Sequence, residues 1–186
     1  LNEKKQQILN AALKLFVERG FHGTSTAEIA KTAGVATGTL FHHFKTKQEL
    51  INSLYLYTKE QLLIAITIDY QESEQFKTNL KRLWLNFTHF GIENSDMFQF
   101  IIIFHSSPYI TSLTKEQAET RFEEIVTFYR KGIENQEIKT VKGEMMVEFF
   151  WGTIFSTVNY FTKHPEGLNE KNMTLSFELF WDGISK

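Results

Sequence analysis

The chain has 186 residues, 42% of them apolar, with only 2 Pro and 10 Gly. That supports a sizeable core of long helices and excludes a disordered or collagen-like chain. Cys is absent, which excludes disulfides and thiolate chemistry and fits a reducing cytoplasm. The net charge of −2 says little, but residues 1–50 hold 7 basic and 4 acidic residues (+3), leaving 13 and 18 (−5) elsewhere, so a nucleic-acid contact confined to one end is in view.

The opening stretch, "LNEKKQQILNAA", is charged and lacks the apolar core of a secretion signal. Ile8, Leu9, Ala12, Leu13, Phe16 and Val17 recur at helical spacing and predict an amphipathic helix over 3–19, stopped by Gly20. Ser25 with Glu28 three residues later reads as a capping box, opening a helix that ends at Gly34, where a tight turn with positive φ is expected. A short helix follows over 37–43. Thr46 with Glu49 forms a second capping box and opens a long helix over 46–68. Two short helices joined by a glycine turn form a helix-turn-helix, with Ala30 small at the crossing and Ile29, Val35 and Leu40 facing the shared core. Phe44 is expected to close the unit against Phe16 and Leu13.

Further helices are predicted near 74–93, 96–106, 114–135, 142–163 and 170–185, about nine in all. "FQFIIIF" (98–104) fits a strand or a buried helix, and helical patterns on both sides favour the helix. The longest uncharged run, Met97 to Thr114, has a continuous apolar part of only five residues, too short to span a bilayer. Residues 134–142 read as a polar connector with Asn135 as a candidate C-cap, and 164–167 as a turn. The fold class is therefore all-α: a three-helix head over 1–47 and a larger helical domain over 48–186.

The stretch "GVATGTLFHHF" (34–44) carries the clearest chemistry. A recognition helix enters the major groove N-terminus first. Gly38 lets the backbone come close to phosphates or base edges, and Thr37 and Thr39 offer hydroxyls and methyls. Phe41, His42 and His43 lie where the groove wall passes, and Lys47 is placed for a phosphate. Phe41 also fits a core role, and His42 and His43 a solvated pair. Adjacent His residues have the wrong helical spacing to share a metal, and no metal or other cofactor is expected.

The run Gly20-Phe21, Thr24-Ser25, Ile29-Ala30, Ala33-Gly34-Val35, Gly38-Thr39-Leu40, His43-Phe44, Lys47, Leu50 closely resembles the DNA-binding signature of the tetracycline-repressor (TetR) family of bacterial transcriptional regulators. The resemblance covers about 31 residues. It implies DNA contacts from Ser25, Thr26, Ala36, Thr37, Gly38, Thr39, Phe41, His42, His43 and Lys47. Two positions depart from the family pattern. Ala36 stands where a capping Ser or Thr is usual, and Phe41 where Tyr is usual, so two phosphate hydrogen bonds are lost.

The resemblance further implies a cytoplasmic homodimer that binds a near-palindromic double-stranded operator as a repressor and is released by an effector in the larger domain, with the helix from Thr46 as the lever. A helical ligand-binding or adaptor protein that has lost effective DNA binding is the alternative. The last two helices carry the expected dimer surface. "EMMVEFFWGTIFSTVNYF" places Met145, Phe149, Gly152, Thr153, Ser156 and Tyr160 on one stripe and Met146, Phe150, Ile154, Thr157 and Phe161 on another, so both faces need cover. Met173, Phe177, Phe180, Trp181 and Ile184 are expected to supply the second helix of that interface, unless the whole forms an intramolecular core.

Residues 51–186 hold 14 of the 18 Phe and all 3 Trp. A small hydrophobic effector is expected among Trp84, Phe87, Phe104, His105, Phe128, Trp151 and Phe155, with His89, His105 and Asn159 as polar residues within apolar runs. No nucleophile elbow, phosphate-binding glycine loop or zinc-protease motif is present, so no enzyme activity is expected.

Overall fold

A computed structural model describes residues 2–105, 107, 109, 116 and 123–186. Nine α-helices are found among them: α1 (Glu3–Arg19), α2 (Thr26–Thr32), α3 (Thr37–His43), α4 (Lys47–Ile66), α5 (Phe76–Glu93), α6 (Ser95–His105), α7 (Glu123–Glu134), α8 (Gly143–Lys163) and α9 (Glu170–Ile184). The helix expected over 114–135 is described from Glu123 onward, and most of 106–122 lies outside the described residues. "FQFIIIF" is helical.

The chain forms two compact units, 1–61 with 94–119, and 62–93 with 120–186. The division falls inside α4, between Gln61 and Leu62, whereas the sequence suggests a functional boundary at 47/48. The reason is α6. Phe98, Phe100, Ile101 and Phe104 are buried in the first unit, and α6 packs on α1. Phe16 meets Phe21 at 5.2 Å and Phe100 at 6.3 Å, and Tyr55 of α4 stacks on Phe104 at 4.2 Å. Each buried Phe contributes about 1.5–3 kcal/mol of hydrophobic stabilisation. Phe44 is also buried, with the Lys5 ammonium 5.5 Å from its ring centre.

The turn between α2 and α3 is fixed by backbone chemistry. Gly34 has φ of 67°. The Val35 N–H bonds to the Ala30 carbonyl at 3.0 Å and the Gly34 N–H to the Lys31 carbonyl at 3.2 Å. That pair of bonds satisfies the end of α2 only with a left-handed residue between, which glycine adopts without a Cβ clash. Ile29, Ala30 and Leu40 are buried across the crossing, while Val35 is only half-buried.

In the second unit α5, α8 and α9 pack together and α7 packs on α8. Trp84 stacks on Phe180 at 4.6 Å and meets Phe150 edge-on at 5.8 Å. The connector after α7 is more than polar. Ile138 is buried, forms an antiparallel bridge with Ser185, and is followed by a 2.7 Å bond from the Lys139 N–H to the Ile184 carbonyl. The positive φ there belongs to Gln136, not to Asn135.

Lys59 of α4 is buried, its ammonium 6.0 Å from the centre of the Tyr55 ring, and desolvation lowers its pKa to about 8. Between about pH 8 and pH 10.5 the folded chain therefore holds this proton less than the unfolded chain does, and stability rises with pH across that window. Lys59→Met is expected to remove the rise. Urea unfolding of both proteins at neutral and alkaline pH measures the difference, and a parallel pH dependence in the two refutes the assignment.

Candidate functional site

The second helix of the helix-turn-helix is held by one buried side chain and shows its remaining faces outward. Leu40 is fully buried, and Phe44 just beyond the helix is buried as well. Thr37, Gly38, Phe41 and His42 are exposed, and Thr39 and His43 are half-buried. Phe41 is 40% exposed, which settles the sequence's two options for it: it is not a core residue. The His42 and His43 rings lie 5.4 Å apart. No group of three or more potential metal ligands occurs among the described residues.

Gly38 lies inside α3, where glycine costs about 1 kcal/mol relative to alanine. A Cβ added there would meet nothing within 4 Å. The chain's own packing therefore gives no reason for glycine at this position, and the open space faces outward. Ala36 is the N-cap of α3 and no side chain caps the helix. The departure at Ala36 thus has a local cost as well as an external one.

Two other expected contacts are already engaged within the chain. The Ser25 hydroxyl accepts from the Glu28 N–H at 3.2 Å and donates to the Glu28 carboxylate at 2.9 Å, while the Ser25 N–H donates to that carboxylate at 3.0 Å. These bonds, led by the one from the Ser25 backbone, hold the Glu28 carboxyl below its usual pKa. Ser25 thus spends its hydroxyl on the complete capping box of α2. Thr26, beside it, is half-buried. Lys47 is half-buried, and its ammonium donates to the Phe21 carbonyl, tying the loop after α1 to the start of α4. An ammonium has three N–H donors, so two remain for a phosphate. At the start of α4, Thr46 accepts from the Glu49 N–H at 3.0 Å, but the Glu49 carboxylate takes the Lys45 N–H at 2.7 Å, so this box is displaced by one residue.

The residues expected around an effector divide between the two units. Phe104 belongs to the first, where it is buried and stacked on Tyr55. Trp84, Phe87 and Phe128 are buried in the second. Phe128 stacks on Phe76 at 4.6 Å, and Trp151, half-buried, meets Phe87 edge-on at 5.0 Å. Phe155 is exposed, and so are His89 and Asn159, which are surface polar residues and not groups set into a core. The side chain of His105 lies outside the described residues. Tyr129 escapes sequence reasoning: it is a buried tyrosine beside Phe128 and Phe150, and nothing in its helical pattern separates it from ordinary packing.

The two stripes of α8 separate as their spacing requires. Met146, Phe150, Ile154 and Phe161 are buried, whereas Met145, Phe149, Gly152, Ser156 and Tyr160 are exposed and Thr153 is half-buried. A Cβ at Gly152 would meet nothing within 4 Å. On α9 the expectation needs correction. Met173, Phe177, Phe180 and Ile184 are buried in their own unit, with Phe177 against Trp84 and Trp181. Trp181 is half-buried, with the Lys77 ammonium 5.0 Å from its ring centre. The apolar residues that α9 leaves outward are Leu175 and Leu179, the latter 70% exposed.

Residues 8–54 match the family described as bacterial regulatory proteins, tetR family. A crystal structure of a TetR-family transcription regulator from Shewanella sp. PV-4 is 35% identical, with a TM-score of 0.90 over 98% of each chain. This chain belongs to the TetR family. It is thus a helix-turn-helix transcription regulator by family, with α2 and α3 as its DNA-binding motif. A fatty acid metabolism regulator protein from Bacillus subtilis is 28% identical over 83% of this chain and 81% of its own length. The fold is shared with the transcriptional regulator FadR from Bacillus subtilis, solved in complex with stearoyl-CoA, at a TM-score of 0.73 and 22% identity over 96% of this chain and 98% of that one. Among the described residues no helix of this TetR-family chain is long and apolar enough to cross a membrane.

Ala36→Ser is expected to supply the missing cap of α3 and stabilise the first unit by about 1 kcal/mol. A thermal melt measures it, and an unchanged or lower melting temperature refutes the view that α3 lacks a cap.

Proposed function

We propose that this TetR-family regulator is a ligand-responsive repressor. It binds a near-palindromic operator as a homodimer and is released by a small hydrophobic effector. The observation that carries the DNA-binding part is the uncrowded tip of α3, where Gly38 has no neighbour within 4 Å and Thr37, Phe41 and His42 stand outward. Those residues, with Thr39 and His43, are the proposed readers of base edges and groove wall. Lys47 and the start of α3 at Ala36 are the proposed phosphate contacts, and Ser25 and Thr26 support them from α2.

Two heads on successive major grooves stand about 34–36 Å apart, so a dimer is part of the reading. The exposed stripe of Met145, Phe149, Gly152, Ser156 and Tyr160 on α8, with Leu175 and Leu179 on α9, supports a second copy as its cover. The residues of 48–186 are the proposed effector and dimerisation domain. The aromatic cluster of the second unit, with Trp84, Phe87, Phe128 and Trp151, supports a hydrophobic effector. α4 runs through both units and is the proposed carrier of the coupling. Release needs only that effector and operator favour different states, and a coupling of about 1–3 kcal/mol changes occupancy about 5–150-fold.

A gel shift with the DNA flanking the protein's own gene tests the reading, and affinity is expected to fall steeply with salt. Thr39→Ala is expected to weaken the preferred site more than unrelated DNA. Lys47→Ala is expected to weaken all sequences alike, and also to lower the melting temperature through the lost bond to Phe21. No binding at low salt, or binding indifferent to salt, favours the adaptor alternative. The double variant Leu175→Glu with Leu179→Glu is expected to sediment as a monomer and to lose tight operator binding. A dimer of unchanged stability moves the interface elsewhere.

A further inference from the structure

Tyr129 of α7 carries a hydroxyl that is fully buried and has no hydrogen-bond partner among the described residues. Leaving such a group unpaired costs free energy that a phenylalanine would not. The rings that flank Tyr129 are Phe128 and Phe150, each 5.8 Å away. Phe150 in turn meets Trp84 and Phe87, each at 5.8 Å, and Phe87 meets Trp151 at 5.0 Å. The Tyr129 ring therefore belongs to the same aromatic cluster that the effector reading uses, and its hydroxyl is buried beside it without a partner among the described residues. Packing alone is served by a phenylalanine at this position.

We propose that the Tyr129 hydroxyl is the polar recognition point of the effector, and that the effector is an uncharged hydrophobic molecule bearing a carbonyl oxygen. This rests on the effector reading above and narrows it to one chemical class. Burial raises the Tyr129 pKa well above its ordinary value, so the phenol keeps its proton and acts as a donor. A ketone, ester or thioester oxygen accepts that proton and brings no charge with it. A carboxylate accepts it too, but must leave its hydration among aromatic rings, which costs far more than one hydrogen bond returns. A pure hydrocarbon fits the rings and leaves the hydroxyl unpaired.

The test uses the full chain and Tyr129→Phe. The probes are two matched sets: methyl octyl ketone, decane and decanoate, and valerophenone, pentylbenzene and phenylvalerate. Binding is followed by quenching of the fluorescence of the chain's three tryptophans and by thermal shift. The wild type is expected to bind the ketone of at least one set about tenfold more tightly than its hydrocarbon and its carboxylate. Tyr129→Phe is expected to lose that preference, to bind the hydrocarbon as well as the wild type does, and to melt no lower than the wild type without a probe. A lower melting temperature of the free variant shows that the hydroxyl is already satisfied within the chain and overturns the proposal. So does a ketone preference that survives in Tyr129→Phe, or a wild type that prefers the carboxylate or shows no preference. If no probe of either set binds the wild type at its solubility limit, the effector reading itself fails together with the proposal.

Discussion

A seven-residue helix does not hold itself together in water, because nucleating it costs more than so few hydrogen bonds return. α3 exists because Leu40 and Phe44 are buried and because the Gly34 turn delivers the chain at the correct angle. Everything said of its outward face depends on that anchorage. With Leu40 inward, a helix of this length turns Thr37, Gly38, Phe41 and His42 away from the core. The same anchorage explains why the missing cap at Ala36 is tolerated. Tertiary burial supplies the stability that local chemistry withholds.

The second unit follows a related logic on a larger scale. α8 carries apolar residues on two faces and α9 nearly so, yet one set of partners cannot cover both. Trp84, Phe150, Phe177 and Phe180 form a mutual cluster of stacked and edge-on rings, and the helices turn so that this cluster is complete. What is left over is forced outward: Met145, Phe149 and Tyr160 on α8, and Leu175 and Leu179 on α9. The outward stripe is thus a consequence of how the aromatic cluster closes, and its apolar character calls for a cover that its own unit does not provide.

Buried polar groups show where each unit is fastened. The Thr24 hydroxyl donates within reach of the Leu15 and Gly20 carbonyls, at 3.1 and 2.9 Å, and ties the loop after α1 to that helix. Asn79 does the same for the segment before α5, with its amide on the Gln71 carbonyl at 2.6 Å and its oxygen taking Arg82 at 2.9 Å. In both cases a polar side chain replaces solvent for backbone groups that folding would otherwise strand. Tyr129 departs from this pattern, since it is buried without such a bond among the described residues.

Much of this was legible in the sequence. Helical spacing, the capping box at Ser25, the Thr46 cap of α4 and the positive-φ glycine between α2 and α3 determined the helices of the head, because these signals act within a few residues. The motif around α3 identified the candidate DNA contacts for the same reason: groove-facing residues of a short helix are neighbours in the chain. The division of the α8 stripes was readable too, since spacing alone separates two faces. The tertiary structure decided what spacing cannot. It placed α6 and its Phe104 with the head, exposed Phe155, His89 and Asn159, and gave the outward face of α9 to Leu175 and Leu179 instead of Phe177. Sequence periodicity says that a face is apolar but not which neighbour covers it, because burial is a property of surfaces brought together from distant parts of the chain.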